Sequence, residues 1–134
     1  QLQLLLLQFV YPNHHLFLDL SKFSPSVEET LTLIKKANGI AILAHPYQYA
    51  FDNTIDFLNE FTEKYKIDGV EVYHSTFTNA QMNEIEKWAR EHNMMMSGGS
   101  DYHGTVKPGI ELGTGMNHNL NINRAIFYNW TRNK

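Results

Sequence analysis

Three short apolar runs, separated by stretches of helical periodicity, constrain the fold of this chain more than any other feature. They are "GIAILAHP" (39–46), "GVEVYH" (69–74) and "MMMS" (94–97). Each is short enough and apolar enough for a strand covered on both faces. Between and before them lie three helical patterns. "SPSVEETLTLIKKANG" (24–39) places Val27, Leu31 and Ile34 on one face. Its start is set either by Ser24 with Pro25 in the first turn, or by Ser26 with Glu29 three residues on. "NTIDFLNEFTEKYK" (53–66) carries Ile55, Leu58, Phe61 and Tyr65 at helical spacing. "TNAQMNEIEKWAREHN" (78–93) opens with Thr78 and Gln81 in capping-box register and carries Met82, Ile85, Ala89 and His92 near one face. Strands alternating with amphipathic helices predict an α/β fold with a parallel sheet and covering helices. After residue 104 the pattern weakens into a glycine- and asparagine-rich stretch read as loop. "RAIFYNW" (124–130) reads as a last short helix.

Function in such folds gathers at the carboxyl ends of the strands. All three runs lead into polar side chains at that end: Ala44-His45-Pro46, Tyr73-His74-Ser75, and Gly99-Ser100-Asp101-Tyr102-His103. Asp101 and His103 are two apart, so extended backbone would point a carboxylate and an imidazole the same way, toward a Zn, Mn or Fe ion. His45 is a candidate ligand at the end of its strand. Glu71, a carboxylate inside an apolar strand, needs a partner, and could bind an ion or orient a ligand. His74 is a candidate for substrate contact, general acid or metal ligand. Glu71 and His74 are three apart, so a flat strand would aim only one of them at the site. Lys107, four residues past His103, is a candidate phosphate contact. His14 and His15 read as a solvated turn, and Met94–Met96 as core. His92 and His118 receive no chemical role.

Composition narrows the field. A chain of 134 residues suits a single domain, 1–134. It has no cysteine, which excludes disulfides and thiolate metal sites and gives no argument for secretion. A net charge of −3 offers no general attraction for nucleic acid. The apolar run "LQLLLLQFV" (2–10) is too short to span a membrane and lacks the flanks of a signal peptide, so a cytoplasmic location is expected. The chain begins with Gln1 rather than methionine, as a piece of a longer protein would.

"GIAILAHP", "DGVEVYHS" and "SGGSDYHG…KPGIELG", in this order, resemble the later part of the PHP (polymerase and histidinol phosphatase) domain, over residues 24–122. The look is closest to the stand-alone bacterial metal-dependent phosphoesterases of that family. The resemblance implies a partial, distorted (β/α)7 barrel with two or three divalent ions in the complete domain. It implies metal-ligand roles for His45, Asp101 and His103, a supporting role for Glu71, and a substrate or variable metal contact for His74. The expected activity is hydrolysis of a phosphate ester on a nucleotide or small phosphorylated metabolite. PHP proteins open with an H-x-H motif and a following Asp, and add a His and a Glu; this sequence has none of these. The chain alone is therefore expected to be inactive. The alternatives are a non-catalytic interaction module, self-associating through an open sheet edge, and a PHP-type nuclease.

Overall fold

A computed structural model of the chain describes residues 24–131; the apolar run 2–10, His14 and His15 lie outside them. The described residues fall into two compact units, one of 24–41 with 47–67 and one of 42–46 with 68–131.

The first unit is helical. Helix α1 spans Val27–Lys36. Ser26 caps it, with its hydroxyl accepting from Glu29 N and the Glu29 carboxylate accepting from Ser26 N. The capping box thus prevails over the alternative start at Ser24. Val27, Leu31 and Ile34 are half-buried rather than buried. Helix α2, Thr54–Lys64, begins where the Asn53 side chain accepts from Ile55 N and Asp56 N. Aromatic rings run along this unit: Phe51 stacks on Phe57 at 4.0 Å, Phe57 meets Phe61 at 5.4 Å, and Phe61 meets Tyr65 at 4.8 Å. These contacts and the fully buried Leu58 give the unit its apolar core.

The second unit is α/β. Strands β1 (Ile42–Leu43), β2 (Gly69–His74) and β3 (Met95–Gly99) form a parallel sheet in that order. The run 39–46 was expected to be a buried strand, yet only Ile42 and Leu43 pair with β2. Backbone chemistry explains the shortening: His45 adopts φ 33° and Pro46 follows it, so neither residue continues a ladder. β3 extends two residues past its expected end, through Gly98 and Gly99. Met94–Met96 are half-buried, not core.

Helix α3 (Asn79–Glu91) packs on β2 and β3, with Met82, Ile85, Trp88 and Ala89 buried beside Val70 and Val72. Thr78 and Gln81 close its capping box as expected. The stretch read as loop contains an antiparallel hairpin, β4 (Ile110–Glu111) with β5 (Gly115–Met116). Its strands are two residues long and carry no alternating pattern for sequence reasoning to detect. Helix α4 (Ala125–Thr131) ends the described residues and contacts β3. Among the described residues, no helix is long and apolar enough to cross a membrane.

The β2–β3 register carries the most consequential irregularity. Glu71 pairs with Ser97, but Tyr73 pairs with Gly98, leaving Val72 as an extra residue on β2. A bulge of this kind reverses the facing of every later side chain. Accordingly Glu71 bonds to the end of β1 while Tyr73 faces α3, where its hydroxyl bonds to the Glu86 carboxylate.

Two outcomes follow from this packing. A Cβ at Gly69 would collide with the main-chain oxygen of Met95 and lie 2.7 Å from Ile42 Cδ1. We expect Gly69→Ala to lose about 1–3 kcal/mol in urea unfolding, because it forces neighbouring strands apart. Burial, reinforced by Glu86, pushes the Tyr73 phenol up to about 12. Folding thus favours the protonated phenol, and its contribution holds below the ordinary value of 10.0 and fades as pH rises toward about 12. The difference in stability between the native chain and Tyr73→Phe, followed by circular dichroism, should shrink across that window.

Candidate functional site

The carboxyl ends of β1, β2 and β3 bring five of the six candidates into one connected cluster. His45 follows β1, Glu71 and His74 lie on β2, and Asp101 and His103 follow β3. Lys107 joins them from the loop. Glu71 Oε2 accepts a hydrogen bond from His45 N at 2.7 Å. The His45 and His74 rings meet edge-on at 5.8 Å. His74 Nε2 lies 3.6 Å from Asp101 Oδ2, and His103 Nδ1 lies 3.5 Å from Asp101 Oδ1. A flat strand would have aimed only one of Glu71 and His74 at the site; the bulge at Val72 restores both to the same side.

The Asp-x-His pair also converges, though not through extended backbone. Asp101 adopts φ 56°, a left-handed conformation that aspartate tolerates better than most residues. His103 then turns back so that its Nδ1 lies 2.7 Å from Asp101 O. A carbonyl only accepts, so Nδ1 carries the proton, and in the neutral ring Nε2 holds the lone pair.

His74 takes the opposite tautomer. It is completely buried, and its Nδ1 accepts from Thr76 N at 3.2 Å. Nε2 therefore carries the proton and presents it toward Asp101. Burial lowers the His74 pKa; the Asp101 carboxylate opposes that shift, and the neighbouring His45 and Lys107 add to it. The neutral ring is a hydrogen-bond donor at Nε2 and a poor general acid.

Two carboxylates share this small region. Burial raises the Glu71 pKa, opposed by the His45 N–H and reinforced by the Asp101 charge. Burial also pushes Asp101 upward, but the Lys107 ammonium bound to its Oδ2, together with His103 and His74, outweighs this and holds it below the usual value. Lys107 thus sits on Asp101.

Residues that sequence reasoning missed lace the strand ends together. Ser75 Oγ donates to Ser100 O at 2.8 Å, tying the end of β2 to the end of β3. Ser100 Oγ accepts from Gly113 N at 3.1 Å. Asn119 donates to Ser75 O at 2.7 Å and accepts from Met116 N at 2.8 Å. For Ser75 and Ser100 the sequence signal was position, immediately after a strand; Asn119, within the glycine- and asparagine-rich stretch, carried none. His92 stays outside the cluster, with its Nδ1 donating to Trp88 O, and His118 pairs with Glu111.

The donors are of the right chemistry for a divalent ion, but their arrangement does not fit one. Among the described residues, no three His, Asp or Glu side chains are placed to hold a metal. Lys107 occupies Asp101 Oδ2, and the proton on His74 Nε2 faces the same oxygen.

The Glu71 bond to His45 N is testable by stability. Glu71→Ala leaves a part-buried N–H without its acceptor and should lose about 1–3 kcal/mol. Glu71→Gln keeps an accepting oxygen and should lose less; chemical unfolding of both variants distinguishes them.

No family model and no curated protein matches the chain. Among solved structures, it is similar to a "putative metal-dependent phosphoesterase" from Bifidobacterium adolescentis. The two are 29% identical, with a TM-score of 0.51, over 69% of this chain and 33% of that one. The chain thus spans about a third of the length of that structure.

Proposed function

We propose that this chain is part of a metal-dependent phosphoesterase of the PHP type, acting on a nucleotide or small phosphorylated metabolite. One observation carries the reading: His45, Glu71, His74, Asp101 and His103 form a connected cluster at the carboxyl ends of three parallel strands. The solved phosphoesterase to which the chain is similar adds support. In this reading His45, Asp101 and His103 are ligands for Zn, Mn or Fe, in a cluster of two or three ions completed by residues of a longer protein, and Glu71 supports His45. Buried His74 offers its Nε2 proton to a phosphoryl oxygen, and Lys107 is the cationic contact for the substrate's phosphate. The reaction transfers the phosphoryl group to water, with cleavage of the ester P–O bond.

The test is Mn2+-dependent binding of inorganic phosphate, the reaction product, followed by phosphorus NMR line broadening. Phosphate should bind in the presence of Mn2+ and weaken about tenfold in His74→Ala and in Asp101→Ala, the loss expected for one charge-assisted contact. Hydrolysis of phosphate monoesters by the chain alone should stay at background. Phosphate binding that ignores both substitutions would sink the reading.

A specific feature favours a second reading as an interaction module. Among the described residues, β1 and β3 each pair with one strand only, so the sheet has two outer edges. A dimer by light scattering, with no metal bound, would favour that module. The nuclease alternative gains nothing from a net charge of −3.

A further inference from the structure

On the side of β2 that α3 covers, the start of α3 and the segment 119–121 border a cavity of about 360 Å³. The bulge at Val72 turns Tyr73 away from Glu71 and His74, and the cavity shares no residue with the cluster at the strand ends. Four of its lining residues are asparagines: Asn79 and Asn83, one turn apart on α3, with Asn119 and Asn121 opposite in sequence. The Asn119 carboxamide is committed at both ends, to Ser75 O and to Met116 N. Those of Asn79, Asn83 and Asn121 are exposed and hydrogen-bond to no other described residue. Buried Met82 and Leu120 supply an apolar floor. The Tyr73 hydroxyl is already held by the Glu86 carboxylate, so the tyrosine offers the cavity its ring. Among the described residues, no charged side chain lines the cavity.

We infer that this cavity binds a neutral purine base, held by the carboxamides of Asn79, Asn83 and Asn121 over the floor of Met82 and Leu120. A carboxamide sets an accepting oxygen beside a donating NH2 in one plane, which matches the paired donor and acceptor on the edge of adenine. A base also brings an aromatic face, for which a methionine thioether is a favourable partner. The volume lies at the lower end of small-molecule sites, roughly 300–1,000 Å³, and suits a ligand of nucleoside size. With no counter-charge in the lining, a phosphate on that ligand would gain nothing from the cavity. The base site stands apart from the phosphoesterase reading and does not rest on it.

The experiment is titration of adenosine into the nitrogen-15-labelled chain, followed through the side-chain NH2 signals in two-dimensional NMR. EDTA is present throughout, so that no metal-dependent site contributes. The signals of Asn79, Asn83 and Asn121, each assigned by its loss in the alanine variant, should shift together, while ribose alone moves none of them. Asn83→Ala and Asn121→Ala should each weaken adenosine binding about three- to tenfold. Alanine suits the exposed helical position of Asn83, so that variant keeps the fold. Adenosine monophosphate should bind no more tightly than adenosine. Three unmoved signals, native affinity in both alanine variants, or ribose binding as well as adenosine overturns the base site. Tighter binding of the monophosphate overturns the neutral ligand, and with it the separation of this cavity from phosphate recognition.

Discussion

The extra residue at Val72 is the constraint on which the site depends. Without it, Glu71 and Tyr73 would share a face, and His74 would point away from Glu71. With it, Glu71 reaches the main chain of His45, Tyr73 reaches Glu86 on α3, and His74 turns toward Asp101. One inserted residue thus lets a single strand anchor a helix with one side chain and furnish the site with two others. Val72 itself is fully buried, so the bulge is held by packing and does not rely on the site for its stability.

Charge organises the cluster as much as geometry does. Two carboxylates and three imidazoles gather where solvent is partly excluded, and neighbours set the tautomers of two of the imidazoles. His74 holds its proton on Nε2 because Thr76 N occupies Nδ1, and His103 holds its proton on Nδ1 because Asp101 O accepts it. The two rings therefore present opposite chemistry: a donor at His74 and a lone pair at His103. Lys107 balances Asp101 between them.

Much of this was legible in the sequence, and the reasons are local. Capping residues at Ser26 and Thr78, and the apolar run "GVEVYH", are short-range signals that the chain obeys. The parallel order and the polar strand ends followed from alternation alone. Bulges are a different matter: Val72 is apolar and β-branched like Val70, and nothing in "GVEV" distinguishes a paired residue from an unpaired one. The left-handed turns at His45 and Asp101 were equally hidden, since neither position is glycine. β1 shrank for that reason. The lacing by Ser75, Ser100 and Asn119 joins positions far apart in sequence, a tertiary property that no window reveals.

The left-handed backbone at Asp101 also limits what evolution can place there. At φ 56° the residues that sit comfortably are glycine, asparagine and aspartate. Of these, only aspartate carries a charge. The handedness of one peptide unit therefore filters the alphabet before chemistry does. Glutamate, the other carboxylate, would cost about 1–2 kcal/mol in this backbone and would reach further. The turn therefore favours the shorter acid, or its amide, at the strand end.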